Sequence, residues 1–200
     1  MMLGAYLGVV TLERDRPAPA RTAVDAVAER LGLAPCAVSS AHALFAAGPT
    51  QSIGGVPADI HIVGPAFSRV PGGSPFIGVI DSNAAPAAFL EAIEARWGAF
   101  VAWTGIEGAD AVCIYRDPSA RCPCYYRRWG SELVIASHLP FIEALTGRAD
   151  AIDWPVVEDE LLYPDLVGRE SALVGIKEVL PGEILHIGPE GVYHLSLIHI

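Results

Sequence analysis

Two rhythms of apolar residues alternate along the chain. Ala5 to Leu12 is a short apolar run that reads as a first strand, and the Pro17-Ala18-Pro19 break closes it. Arg21 to Leu31 carries Val24, Val27 and Leu31 at helical spacing, and Gly32 stops it. Strands are predicted at about His42 to Ala46 and Asp59 to Val63, on either side of a Gly54-Gly55 turn. The Pro- and Gly-rich stretch from Gly64 to Pro75 reads as a loop, and Phe76 to Ile80 as a short strand. Asp81-Ser82-Asn83 offers capping side chains, and Pro86 suits the first turn of a helix. Phe89, Ile93 and Trp97 fall four apart, so that helix is expected to lay one apolar face on a sheet.

The second half is denser in strand signals. Ala111 to Tyr115, Cys124 to Arg128 and Leu133 to Ala136 are extended runs, separated by Arg116-Asp117-Pro118-Ser119 and by Trp129-Gly130-Ser131. Short turns between them predict an antiparallel meander over Gly98 to Ala136. Period-two alternation places Leu133 and Ile135 on one face and Val134 on the other, and sends Tyr125 and Tyr126 to opposite faces. Leu139 to Leu145 and Pro155 to Leu162 read as short helices. Glu183 to Ile187 and Val192 to Leu195 form a hairpin around Gly188-Pro189-Glu190-Gly191. Many short antiparallel strands with few, segregated helices imply an α+β sandwich.

Composition narrows the partners. The 200 residues are 52% hydrophobic and 18% charged, enough for the core of one globular domain. A formal charge of −10 without a basic cluster makes nucleic acid and anionic membranes poor partners. No run reaches the ~20 apolar residues of a membrane span. Arg14 and Arg16 follow the first apolar run instead of preceding it, unlike a secretion signal, so a cytoplasmic location is expected. Cys36, Cys113, Cys122 and Cys124 lack the paired spacing of a zinc site and read as buried or half-buried thiols. His42, His61, His138, His186 and His194 are scattered, and none is assigned to a metal.

The stretch from Asp110 to Ala136 carries one specific pattern. Arg116-Asp117-Pro118, Pro123 and Tyr125-Tyr126 resemble the Arg-Asp-Pro … Pro-Leu/Cys-Tyr-Tyr segment of the asparagine synthetase-like proteins, in their N-terminal glutaminase-type domain. Arg96 to Trp103, Ile135-Ala136-Ser137 and Gly175 to Gly182, which includes Pro181, match further family segments in the same order. The Asp-Pro-Ser turn, the short helix-to-strand link and Ile152-Asp153-Trp154 look most like the lasso-peptide cyclase branch. The resemblance implies a four-layer αββα sandwich of the N-terminal-nucleophile amidotransferase type.

That fold would put chemistry at the chain start, where active relatives expose a cysteine whose thiol attacks and whose own amine accepts the proton. Met1-Met2-Leu3 offers no such residue, Cys36 has no free amino group, and no Asn-Gly-Glu-type glutamine-binding segment is present. Asp81-Ser82 reads better as a helix cap than as a substrate-binding acid. No residue is therefore assigned to catalysis. Arg116 and Asp117 are expected to hold a turn or dock a partner domain, Tyr125 and Tyr126 to pack, and Pro181-Gly182 to turn the chain into its last hairpin.

No Ser-Gly-Gly-x-Asp-Ser phosphate loop occurs. The expectation is a degenerate glutaminase-like domain over residues 1–194, cut from an ATP-dependent amide-forming enzyme whose missing C-terminal synthetase domain would use ATP and Mg²⁺. In the cyclase branch a precursor peptide would be the substrate, its side-chain carboxylate joined to its own N-terminal amine, so free glutamine is unnecessary. A fragment of a glutamine-hydrolysing asparagine synthetase and a stand-alone binding or scaffold module are the alternatives. Leu195-Ser-Leu-Ile-His-Ile200 stands apart from a chain with twelve Arg to the single Lys177. Reverse-translated as CTG TCT CTT ATA CAC ATC, it resembles the mosaic-end adapter of transposase-based sequencing libraries, so residues 195–200 are expected to be an artefact tail.

Overall fold

A computed structural model describes residues 4–12, 21–36, 43–48, 60–69, 87–106, 111–147, 151–164, 168–188 and 190–196. Two antiparallel sheets carry the architecture. The first is built from β1 (Tyr6–Thr11), β2 (Ala34–Cys36), β3 (Ala43–Ala47), β9 (Tyr125–Trp129), β10 (Glu132–Ala136) and β11 (Lys177–Glu178), in the order β11-β9-β10-β1-β3-β2. The second holds β4 (His61–Val63), β7 (Val101–Ile106), β8 (Ala111–Arg116), β12 (Glu183–Gly188) and β13 (Gly191–Ser196), in the order β13-β12-β8-β7-β4. Helices are α1 (Arg21–Leu31), α2 (Ala87–Glu94), α3 (Leu139–Thr146) and α4 (Trp154–Leu162).

Side-chain alternation sorts the strands into layers. Tyr6 and Val10 of β1, Leu133 and Ile135 of β10, Val101 and Trp103 of β7, Val112 and Ile114 of β8, and Leu185 and Ile187 of β12 form the core between the sheets. The residues out of phase with these face outward. Leu7, Val9, Val134 and Ala136 pack with Val24, Val27 and Ala28 of α1 and Phe141, Ile142 and Leu145 of α3. Ala102, Cys113, Tyr115 and Ile184 pack on the other side with Phe89, Ala92 and Ile93 of α2. Helices outside, two sheets inside: the fold is an α+β sandwich with αββα layers, as the resemblance implied. Leu133 and Ile135 share the inner face and Val134 the outer, which is the expected register.

Three expectations need correction. The strands at 111–116, 125–129 and 132–136 are not one meander, because β8 belongs to the second sheet while β9 and β10 belong to the first. Both hydrogen-bonding edges of β8 are taken, by β7 and β12, so the chain after Arg116 crosses the sandwich instead of doubling back. Within Gly64 to Pro75, read as a loop, β5 (Ala66–Ser68) is a strand pairing with β6 (Arg96–Gly98) in a separate two-stranded ribbon.

Trp97 is the third correction. Phe89 and Ile93 are buried on the second sheet, but Trp97 is 55% exposed. The helix ends at Glu94, so its period no longer governs Trp97, which sits in β6 opposite Phe67, ring centroids 5.0 Å apart. Glycine is required here: at Gly98 (φ 151°) a Cβ would lie 2.2 Å from the Pro65 carbonyl oxygen.

The strand expected at Phe76 to Ile80, the Gly54-Gly55 turn and the Asp81-Ser82-Asn83 cap lie outside the described residues, as do Met1 to Leu3 and residues 197–200. Leu195 pairs with Ile184 and packs against the cluster under α2. Among the described residues no helix is long and apolar enough to cross a membrane.

Candidate functional site

Arg116, the last residue of β8, is 5% exposed and organises the crossover between sheets. Its Nε donates to the Cys122 carbonyl (3.1 Å), Nη2 to Ala120 O (3.1 Å), and Nη1 to both Val179 O and Glu178 Oε2 (2.7 Å each). Its own carbonyl accepts from Gly182 N at 2.9 Å. One guanidinium thus closes the link ahead of it and clamps the strand β11 and the turn that leads into β12. A planar fork with five donors is the side chain suited to this, where a lysine would satisfy one or two acceptors.

Asp117 completes the turn. Its backbone N–H donates to Phe100 O (3.0 Å), its Oδ1 accepts from Ser119 N (2.8 Å), and its carbonyl accepts from Ala120 N (3.2 Å). Pro118 is exposed at the turn, and Ala120 takes a left-handed φ of 59°. Pro123 offers its carbonyl to the Tyr6 hydroxyl at 2.8 Å. Tyr126 faces the inter-sheet core and Tyr125 the outer cluster, which places them on opposite faces as expected. Gly175 and Gly182 both have positive φ, 78° and 72°, and Pro181 precedes the second in the turn before β12.

The motif residues, written in two segments about fifty residues apart, therefore meet. Besides the Arg116 contacts, Val179 N donates to Cys124 O (2.9 Å), and Lys177 and Glu178 pair with Tyr126 and Tyr125.

The thiols near this crossover are poorly disposed to attack. Burial pushes Cys122 up to about 11 and Cys124 and Cys113 up to about 12, and also raises Cys36. Nucleophilic chemistry needs the thiolate, and at neutral pH all four are thiols. Cys122 donates weakly to the Gly4 carbonyl (3.9 Å) just ahead of β1, and Cys124 lies against Tyr6, whose hydroxyl burial holds well above its usual range. Among the described residues no group of three or more His, Cys, Asp or Glu converges on a metal-sized space.

A second polar cluster escaped the sequence reading. Arg169 grips Glu183 with two bonds of 2.8 Å, and its Nη1 also donates to His194 Nδ1 at 2.8 Å. Arginine only donates, so Nδ1 is the acceptor, and Nε2 carries the hydrogen that reaches the Tyr126 hydroxyl at 3.2 Å. Glu183 Oε2 also accepts from Leu180 N (3.0 Å). The four residues tie β9 of one sheet to β12 and β13 of the other. Nothing in the sequence pointed to this, since the partners are 14 and 25 residues from Arg169 and follow no period.

Burial, then the Arg169 cation, depresses the His194 pKa, and burial depresses that of His186. For Glu183 burial acts upward but is outweighed by the Arg169 and Leu180 hydrogen bonds, so its pKa is lowered. The imidazoles are held neutral, so their contribution is intact above the unfolded value of ~6.5 and is lost as pH falls below it; the Glu183 contribution is lost only as pH falls below ~4.5. The urea midpoint is expected to fall between pH 7.5 and 5.5, and by less in His194→Gln. A wild-type midpoint unchanged over that interval would contradict the assignment.

No family model and no curated protein matches the sequence. Solved structures do match. The glutamine phosphoribosylpyrophosphate amidotransferase from B. subtilis, solved with ADP and GMP, has a TM-score of 0.52 and 11% identity over 98% of this chain and 50% of that one. A structure described as the allosteric regulatory enzyme of purine biosynthesis has a TM-score of 0.51 and 10% identity over 98% and 49%. At such identities the likeness shows the fold: the chain has that of the glutaminase-type domain of class II glutamine amidotransferases. The chain spans about half the length of the solved structures it matches.

Proposed function

We propose that this chain is a glutaminase-like domain that no longer hydrolyses glutamine, and that it serves a larger ATP-dependent, amide-forming enzyme of the asparagine synthetase type, nearest to the lasso-peptide cyclases. One observation carries the family reading: the two motif segments that resemble those proteins pack on each other through Arg116, with Val179 O and Glu178 Oε2 each at 2.7 Å. The loss of hydrolysis is supported by the four thiols, all raised by burial, and by the absence of an Asn-Gly-Glu-type segment. ATP and Mg²⁺ would be handled by a synthetase domain outside these 200 residues, with a precursor peptide as substrate, in the cytoplasm. The role of the described chain would be to hold and orient that domain. A glutamine-hydrolysing asparagine synthetase is the second reading, favoured by the glutamine-using amidotransferase among the structural neighbours.

The purified 200-residue chain is expected to release no ammonia from glutamine above a protein-free blank and to support no ATP–pyrophosphate exchange. Ammonia release abolished by a thiol-alkylating glutamine analogue would overturn the first part and favour the second reading. Pyrophosphate exchange by this chain alone would overturn the division of labour between domains.

A further inference from the structure

Helix α4 contributes no residue to the three buried clusters. None of its nine residues is buried, although an isolated helix of that length is marginal in water. Its first turn is capped by Asp153 Oδ1, which accepts from Val156 N (3.4 Å), and the segment leading into it is tied to the body by Asp153 N donating to Ala172 O and Val174 N donating to Ala151 O (2.9 Å each). At 100° per residue Trp154, Val157, Leu161 and Leu162 share one side. Trp154 is 67%, Leu161 78% and Leu162 62% exposed, and Ile152 and Tyr163, which flank the helix in the chain, are exposed as well. Such a concentration of apolar side chains in water marks an interaction surface.

Charge selects the occupant. Glu158 lies within the apolar stripe, Asp159 and Glu160 flank it, and no basic residue occurs between Asp153 and Tyr163. An antiparallel pair of α4 helices from two copies would set Glu158 against Glu158 in chains that each carry −10, which disfavours self-association through this face. The matched solved structures are about twice as long as the matched region, so this architecture occurs as about half of a longer polypeptide. We propose that the α4 face docks the ATP-using domain of the longer protein, through an apolar groove on that domain with an arginine or lysine opposite Glu158. This rests on the function proposed above.

Where the reading frame in source DNA runs on, its product is the longer protein to be compared with the 200-residue chain. Hydrogen exchange of the amides of residues 156–162 is expected to slow at least ~10-fold in the longer protein, and Leu161→Asp or Glu158→Lys to restore the faster rate. ATP–pyrophosphate exchange on the same preparations tests the enzyme reading independently. Exchange activity with unprotected α4 overturns the docking proposal and leaves the enzyme reading standing, while protection reversed by the two variants, without exchange activity, supports docking and overturns the enzyme reading. Concentration-dependent protection in the 200-residue chain, with a dimer mass, would give the face to a second copy and overturn the proposal, as would a frame without a further domain.

Discussion

Replacing Arg116 with methionine is expected to lower the unfolding free energy by about 3–5 kcal/mol, from three backbone carbonyls that lose their donor at about 1–3 kcal/mol each where they stay unpaired. These are the carbonyls of Ala120, Cys122 and Val179. Glu178, with a quarter of its side chain exposed, can turn to water, so its share is small. Arg116→Lys should recover only part of the loss, because an ammonium cannot span acceptors on both sides of the crossover. Urea denaturation of the three proteins measures this, and a loss below ~1 kcal/mol in Arg116→Met would show that the crossover holds without its guanidinium. If the crossover loosens, the turn at Pro181-Gly182 loosens with it, since Gly182 N donates to the Arg116 carbonyl.

Two tryptophans six residues apart should behave oppositely. Trp103 is fully buried between the sheets, stacked on Phe45 at 5.0 Å and close to Tyr6 at 5.5 Å and His61 at 5.8 Å. Trp103→Ala is expected to lose about 3–5 kcal/mol. Trp103→Phe should lose much less, because the indole N–H finds no acceptor among the described residues and its removal relieves a buried unpaired donor. Trp97→Ala, on the exposed ribbon, should stay below ~1 kcal/mol. Equal losses at the two positions would mean that the β5–β6 ribbon is integral to the core.

Local rules account for what could be read from the chain. The helix Arg21–Leu31 was legible to the residue because Val24 and Val27 repeat on one face and Gly32, at φ 69°, ends it. Strand faces were legible wherever alternation is strict, as at Leu133-Val134-Ile135. Choice of partner strand was not, because a turn such as Arg116-Asp117-Pro118-Ser119 specifies that the chain bends, not which edge is vacant when it does. Of the site, Arg116 and its two segments were legible only through a family resemblance. The Arg169–Glu183–His194–Tyr126 cluster was invisible, since ionic partners brought together by sheet packing leave no period behind.

The position of β1 has a consequence during synthesis. It is central in the first sheet, with β3 on one side and β10 on the other, and all six of its residues are buried. β3 emerges from the ribosome soon after it, but β10 does not: Tyr6 N bonds the side chain of Ser137, just past the end of β10, 131 residues later. At ~5–20 residues per second the second edge of β1 stays open for on the order of 10 s. Throughout that interval an apolar strand presents unpaired N–H and C=O groups to whatever chain is near, including a neighbouring copy on the same message. Yield of folded protein should therefore depend on how quickly the ribosome reaches residue 137, and slow codons between β3 and β10 would favour aggregation without changing a single amino acid.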